Sequence, residues 1–148
     1  MSEIYLGNPN LKKANTPIQF SAEQIEEFLK CKNNPVYFAQ KYVKIVSLDE
    51  GLVPFQPYKF QEKLIKRFHK NRFNICKMPR QTGKSTTVVS YLLHYAVFND
   101  SVNIGILANK AATARELLGR LQTAYENLPK WMQPVSYTHL TLPTKDSV

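Results

Sequence analysis

Glycine, lysine and a hydroxyl residue in succession, Gly83-Lys84-Ser85, are the residues whose types and order point most directly to chemistry. They follow a short β-prone run, Phe73 to Met78, that breaks at Pro79, passes through Arg80-Gln81-Thr82 and enters a helical pattern at Lys84. Strand, loop and helix in that order are the setting of a phosphate-binding loop. A residue without Cβ lets the main chain close on a phosphate, and the positive end of the following helix adds to the field of the loop N–H groups. On this reading Lys84 reaches the β- and γ-phosphates of ATP, and the Ser85 hydroxyl takes one position on Mg²⁺. The strict pattern would put glycine at 78, where this chain has Met78. Only the Gly-Lys-Ser core matches, and an ordinary surface turn is the competing account of that tripeptide.

Two glutamines upstream, Gln56 and Gln61, are the next candidates. An amide can donate to and accept from the adenine edge at once, and several P-loop ATPase families use an upstream glutamine in that way. Two solvated surface amides are the plainer alternative. Asp49-Glu50, behind the apolar residues Ile45 to Leu48, resembles the acidic strand end that holds Mg²⁺ in such enzymes. Those carboxylates come after the phosphate loop, however, and Gly51 follows directly here, so a solvated turn is expected.

The elements that must position these residues can be read in chain order. Residues 1–20 are polar and turn-rich and read as an irregular arm. Ser21 with Gln24 forms a capping box for a helix ending near Asn33-Asn34, and Pro35 suits the first turn of a second helix. Tyr42 to Phe55 reads as a hairpin around Gly51. Pro57 to His69 is strongly amphipathic: Phe60, Leu64, Ile65 and Phe68 form one stripe, with Lys59, Lys63, Lys66, Arg67 and Lys70 mostly opposite. A helix from Ser85 to Phe98 and a turn at Asn99-Asp100-Ser101 lead into Val102 to Ala108, which reads as a buried strand parallel to the first. Asn109 can cap a last long helix, ended by Pro129, with Arg115 and Arg120 on its surface; Trp131 and Met132 read as core.

Composition narrows the classes further. The chain has 148 residues, 43% hydrophobic and 21% charged, enough for one packed domain. No run of 18 apolar residues occurs and the N-terminus lacks the order of a secretion signal, so a cytoplasmic protein is expected. Cys31 and Cys76 have no metal-ligand spacing and read as reduced thiols, Cys76 buried in the strand. Twenty Lys and Arg against 11 Asp and Glu give a net charge of +9. Such an excess suits nucleic acid before membrane, with a solvated basic face as the alternative on charge alone.

Val135 to Thr144 resembles, residue for residue, a translated frame of the transposon mosaic-end adapter used in DNA library preparation. An edge strand is the competing account. Residues 135–148 are therefore left out of the fold reading, and the reading frame is expected to continue past Pro134.

With Arg80-Gln81-Thr82-Gly83-Lys84-Ser85-Thr86, the run Ile104 to Lys110, the helix ending Leu128-Pro129 and the upstream Asn34 to Ile45 in view, residues 18–134 resemble the large terminase subunit of tailed bacteriophages. That family writes its phosphate loop with Arg-Gln in place of a glycine-rich lead, so Met78 becomes a family mark. The resemblance implies an α/β P-loop NTPase fold of the RecA/ASCE type, a parallel sheet with a helical N-terminal extension, incomplete here. Its parts would be the arm 1–20, the helical extension and hairpin 21–56, the first part of the ATPase domain 57–134 and the tail 135–148.

The resemblance further implies Arg80 and Lys84 as catalytic residues, Arg80 acting as a finger in cis on the γ-phosphate. Gln56, Gln61, Arg80, Gln81, Thr82, Gly83, Lys84, Ser85 and Thr86 would form the nucleotide site, with Ser85 on Mg²⁺. Implied partners are double-stranded DNA, the portal protein and the small terminase subunit. The setting would be an oligomeric ring docked at the prohead in the host cytoplasm, with an endonuclease in the C-terminal part. The family's later acidic strand, coupling motif and nuclease carboxylates have no counterpart in residues 1–134, so the fragment itself is expected to be inactive. A helicase or nucleotide kinase, and a non-catalytic DNA-binding adaptor with a degenerate loop, are the competing functions. A helicase would carry Asp-Glu-x-[His/Asp] on the next core strand, and a kinase an arginine-bearing lid.

Overall fold

Side chains that stop the backbone from fraying set where the first two helices begin. The computed structural model describes residues 4–5, 8–12, 17–47 and 49–133. Helix α1 (Ala22–Asn33) opens on the expected capping box: the Gln24 N–H donates to Ser21 Oγ at 3.2 Å, and the Ser21 N–H donates to Gln24 Oε1 at 3.1 Å. Asn34 then serves two helices. Its N–H closes α1 on the carbonyls of Lys30 and Cys31, and its Oδ1 accepts from the Tyr37 N–H at 3.0 Å to open α2 (Pro35–Tyr42). Pro35 sits in that first turn, where a missing N–H costs nothing.

The two helices are clamped by one carboxylate. Glu27 Oε1 accepts from Lys41 Nζ at 2.7 Å, Tyr37 Oη at 2.9 Å and Tyr42 Oη at 3.0 Å. These bonds, Lys41's first, hold the Glu27 carboxyl below its ordinary range.

Two short antiparallel pairs carry all the regular β-structure among the described residues. Ile4–Tyr5 (β1) pairs with Asn8–Lys12 (β2), and Lys44–Ser47 (β3) with Gly51–Pro54 (β4). The second pair is the expected hairpin. Asp49 and Glu50 form its exposed turn, ahead of Gly51 at φ +72°, and so are solvated as the chain order implied. Helices α3 (Lys59–Lys70), α4 (Lys84–Phe98) and α5 (Ala111–Glu126) follow, with a 3₁₀ turn at Lys130–Met132. Helix α4 packs against α2, α3 and α5. Phe38, Ala39, Val43, Ile65, Leu93 and Met132 form the fully buried centre, and Trp131 packs on its margin.

The expected parallel sheet is overturned. Neither Phe73 to Met78 nor Val102 to Ala108 is a strand; both lie outside any sheet, and helix-rich packing with two small hairpins replaces the P-loop NTPase architecture. Phe73, Ile75 and Leu107 are 82%, 101% and 94% exposed. A β-prone run becomes a strand only when a neighbour takes its N–H and C=O groups and covers a face, and neither run has one among the described residues. Cys76 is accordingly exposed where burial was expected, whereas Cys31 is buried and its thiol pushed up to about 12, chiefly by that burial.

The arm departs from expectation as well. Gln133 Nε2 donates to the Asn10 carbonyl at 2.8 Å, and its Oε1 accepts from the Lys12 N–H at 3.1 Å, which pins β2 to the end of the helical body. Helix α5 starts after Lys110 instead of Asn109, and no side chain caps it. The adapter-like stretch 135–148 lies outside the described residues.

Candidate functional site

A tight loop, Pro79 to Gly83, leads into α4, and two left-handed residues shape it: Gln81 at φ +60° and Gly83 at φ +70°. For glutamine that conformation costs about 1 kcal/mol or more, so the surrounding contacts must impose it. They are visible. Thr82 Oγ1 donates to the Pro79 carbonyl at 3.0 Å, and Lys84 Nζ folds back to donate to the carbonyls of Met78 at 3.0 Å and Pro79 at 2.7 Å. The ammonium thus sits over the start of the loop, held by two neutral acceptors that an anionic oxygen could outcompete.

Gly83 is the N-cap of α4 and brings no side chain to the first-turn N–H groups. Those groups lack intrahelical partners by geometry and carry the positive end of the helix dipole. The Gly83 carbonyl is already committed: it accepts from the Thr87 N–H at 3.0 Å and from Thr87 Oγ1 at 2.9 Å. The arrangement therefore offers donors and positive charge outward while its acceptors are used internally. Among ordinary solutes that favours an anion.

Beneath the loop lies Gln61. It is 3% exposed; its Oε1 accepts from the Tyr58 N–H at 2.9 Å, and its Nε2 points to the carbonyls of Thr82 at 3.5 Å and Gly83 at 3.4 Å. A Cβ on residue 83 would come within 2.5 Å of that Nε2. Glycine suits the position on two counts, by its dihedral and by the room it leaves for the Gln61 amide. Sequence reasoning singled out Gln61 as a base reader. Here its amide ties α3 to the loop, and the signal that could have shown this was its place as the third residue of a helix whose N-cap N–H needs an acceptor.

The other expected site residues distribute unevenly. Arg80, Gln81 and Ser85 are exposed beside Lys84, which is half-buried with Thr82 and Thr86. Gln56 is exposed in the segment between β4 and α3. Ser85 can give a hard cation one hydroxyl ligand, and Mg²⁺ usually takes the rest from phosphates and water. Asp49 and Glu50 stay in their hairpin turn, and among the described residues no group of three or more His, Cys, Asp or Glu could hold a metal ion.

One buried group behind the site was not legible in advance. His94, two turns and more along α4, is 2% exposed, and its Nε2 lies 3.0 Å from the Cys31 carbonyl. That contact needs the proton on Nε2 and leaves Nδ1 as a bare acceptor, without a partner among the described residues. Burial pushes the imidazole down to about 4, so it is neutral at pH 7.

No protein-family model matches the chain.

Proposed function

We propose that Pro79 to Thr86 binds the phosphate tail of ATP with Mg²⁺, as the nucleotide loop of a motor that packages double-stranded phage DNA. The observation that carries this reading is the left-handed Gly83 at the start of α4 with the Lys84 ammonium drawn over the loop. In that role the first-turn N–H groups of α4 hold the β-phosphate and Lys84 exchanges its two carbonyls for phosphate oxygens. Ser85 Oγ supplies one Mg²⁺ ligand. Arg80, exposed on the loop, adds positive charge where it develops on the γ-phosphate. Gln61 keeps the loop backbone in register. No acidic side chain is built into the loop, so binding and charge stabilisation fall to these residues, and water activation falls outside them.

The motor assignment draws on the Arg80-Gln81-Thr82-Gly83-Lys84-Ser85-Thr86 resemblance and on the net charge of +9, which suits contacts with a DNA backbone irrespective of sequence. Portal protein and small terminase subunit are the partners it implies, in the host cytoplasm. No described helix is long and apolar enough to cross a membrane. Titration with a fluorescent ATP analogue and Mg²⁺ tests the loop. Lys84→Ala should weaken binding at least tenfold, and equal affinity in parent and variant would remove the reading.

A further inference from the structure

Further along α4, between Val88 and Tyr95, an open groove of about 740 Å³ runs where the last turn of α3 and residues 71–74 face that helix. Its floor is aromatic. The Tyr91 ring lies 5.6 Å from Phe68 and 6.3 Å from Tyr95, and Tyr95 is 40% exposed. Burial holds the Tyr91 phenol above its ordinary range.

Its rim is basic. Lys70 and Arg72 are exposed there, and no acidic residue is among the described residues that line the groove. The wider setting has the same sign: eight of the chain's 20 Lys and Arg lie between Lys59 and Arg80, with Glu62 as the sole carboxylate in that span. Asn74 and Asn103 add amide groups at the groove wall.

We infer that this groove binds single-stranded nucleic acid, its bases stacked on Tyr95 and Tyr91 and its phosphates held by Lys70 and Arg72. Tyrosine faces are sequence-tolerant platforms for unpaired bases, and cations at the rim follow the backbone. A duplex keeps its base faces covered and could meet only the rim. The inference is independent of the nucleotide loop, whose residues, Pro79 to Thr86, do not line this groove.

Fluorescence anisotropy with a labelled oligothymidylate of about 15 nucleotides, against a duplex of equal length, tests it on the whole chain. The single strand should bind more tightly than the duplex. Tyr95→Ala should weaken binding roughly 5- to 100-fold while Tyr95→Phe retains it. Lys70→Ala and Arg72→Ala should each lower the salt slope of log K by about 0.7. Lys84→Ala should change nothing, which separates this site from the phosphate loop. Equal affinity for the two nucleic acids with Tyr95→Ala silent, or no binding at all, overturns the proposal. Should Tyr95→Ala not fold, photo-cross-linking of a 5-iodouracil oligonucleotide to the parent chain decides: cross-links to Tyr91 or Tyr95 support the site, and cross-links only elsewhere overturn it.

Discussion

Helix α2 and the run Phe73 to Met78 draw on similar apolar residues and meet opposite fates. Phe38 is wholly buried, with its ring edge-on to Phe98 at 5.4 Å, while Ile75 is 101% exposed. The difference lies in who supplies the backbone partners. A helix satisfies its own N–H and C=O groups, so a capping box and one shared asparagine suffice to start it, and its apolar stripe needs only a neighbour to lie on. A run without a partner strand has nothing to satisfy it locally, and the side chains of Phe73 and Ile75 stay in water whatever their β propensity.

The largest effect should come from testing that contrast directly. Phe38→Ala should cost about 3–5 kcal/mol in urea unfolding, while Ile75→Ala should stay within about 0.5 kcal/mol. Similar losses at both positions would mean that the 73–78 run is covered in solution.

Acid should expose the same well-packed region through His94. Its pKa is lowered to about 4 in the fold against an ordinary 6.5, so the unfolded chain takes up the proton first as pH falls. Stability is therefore whole above pH ~6.5, declines between ~6.5 and ~4, and is lower by roughly 3 kcal/mol below that. Denaturant unfolding from pH 7 to 4 checks this. His94→Gln should flatten the profile over that window.

At the loop the expected effect is smaller. Gly83→Ala should destabilise by about 1–3 kcal/mol, from the left-handed dihedral and the 2.5 Å approach to Gln61 together. In a Gln61→Ala background the steric share should vanish and the dihedral share remain. A fully additive double variant would show that the two residues do not meet.

Much of the helical framework was legible because its signals are local. Ser21 with Gln24, Pro35, Gly51 and Pro129 each act within four residues, and the stripe of Ile65 and Phe68 follows a fixed period. Gly83 could also be read, since its neighbours Lys84 and Ser85 name the turn it must make. The parallel sheet could not be decided this way. Apolar character at Phe73–Met78 and Val102–Ala108 marks what could pair, whereas pairing depends on a second segment that no local pattern specifies. Gln61 was read as a base-contacting amide, and its bonds to Thr82 and Gly83 span more than 20 residues and lie beyond any sequence window.

Gln133 joins stretches of chain that lie 121 residues apart, through Lys12 and Asn10 on one side and the Leu128 carbonyl on the other. A single amide therefore acts as a clasp. Clipping the chain through Lys12 would uncover the Lys130–Met132 turn against which β2 packs, and replacing Gln133 would set β2 loose, so protease sensitivity of either segment should report on the state of the other.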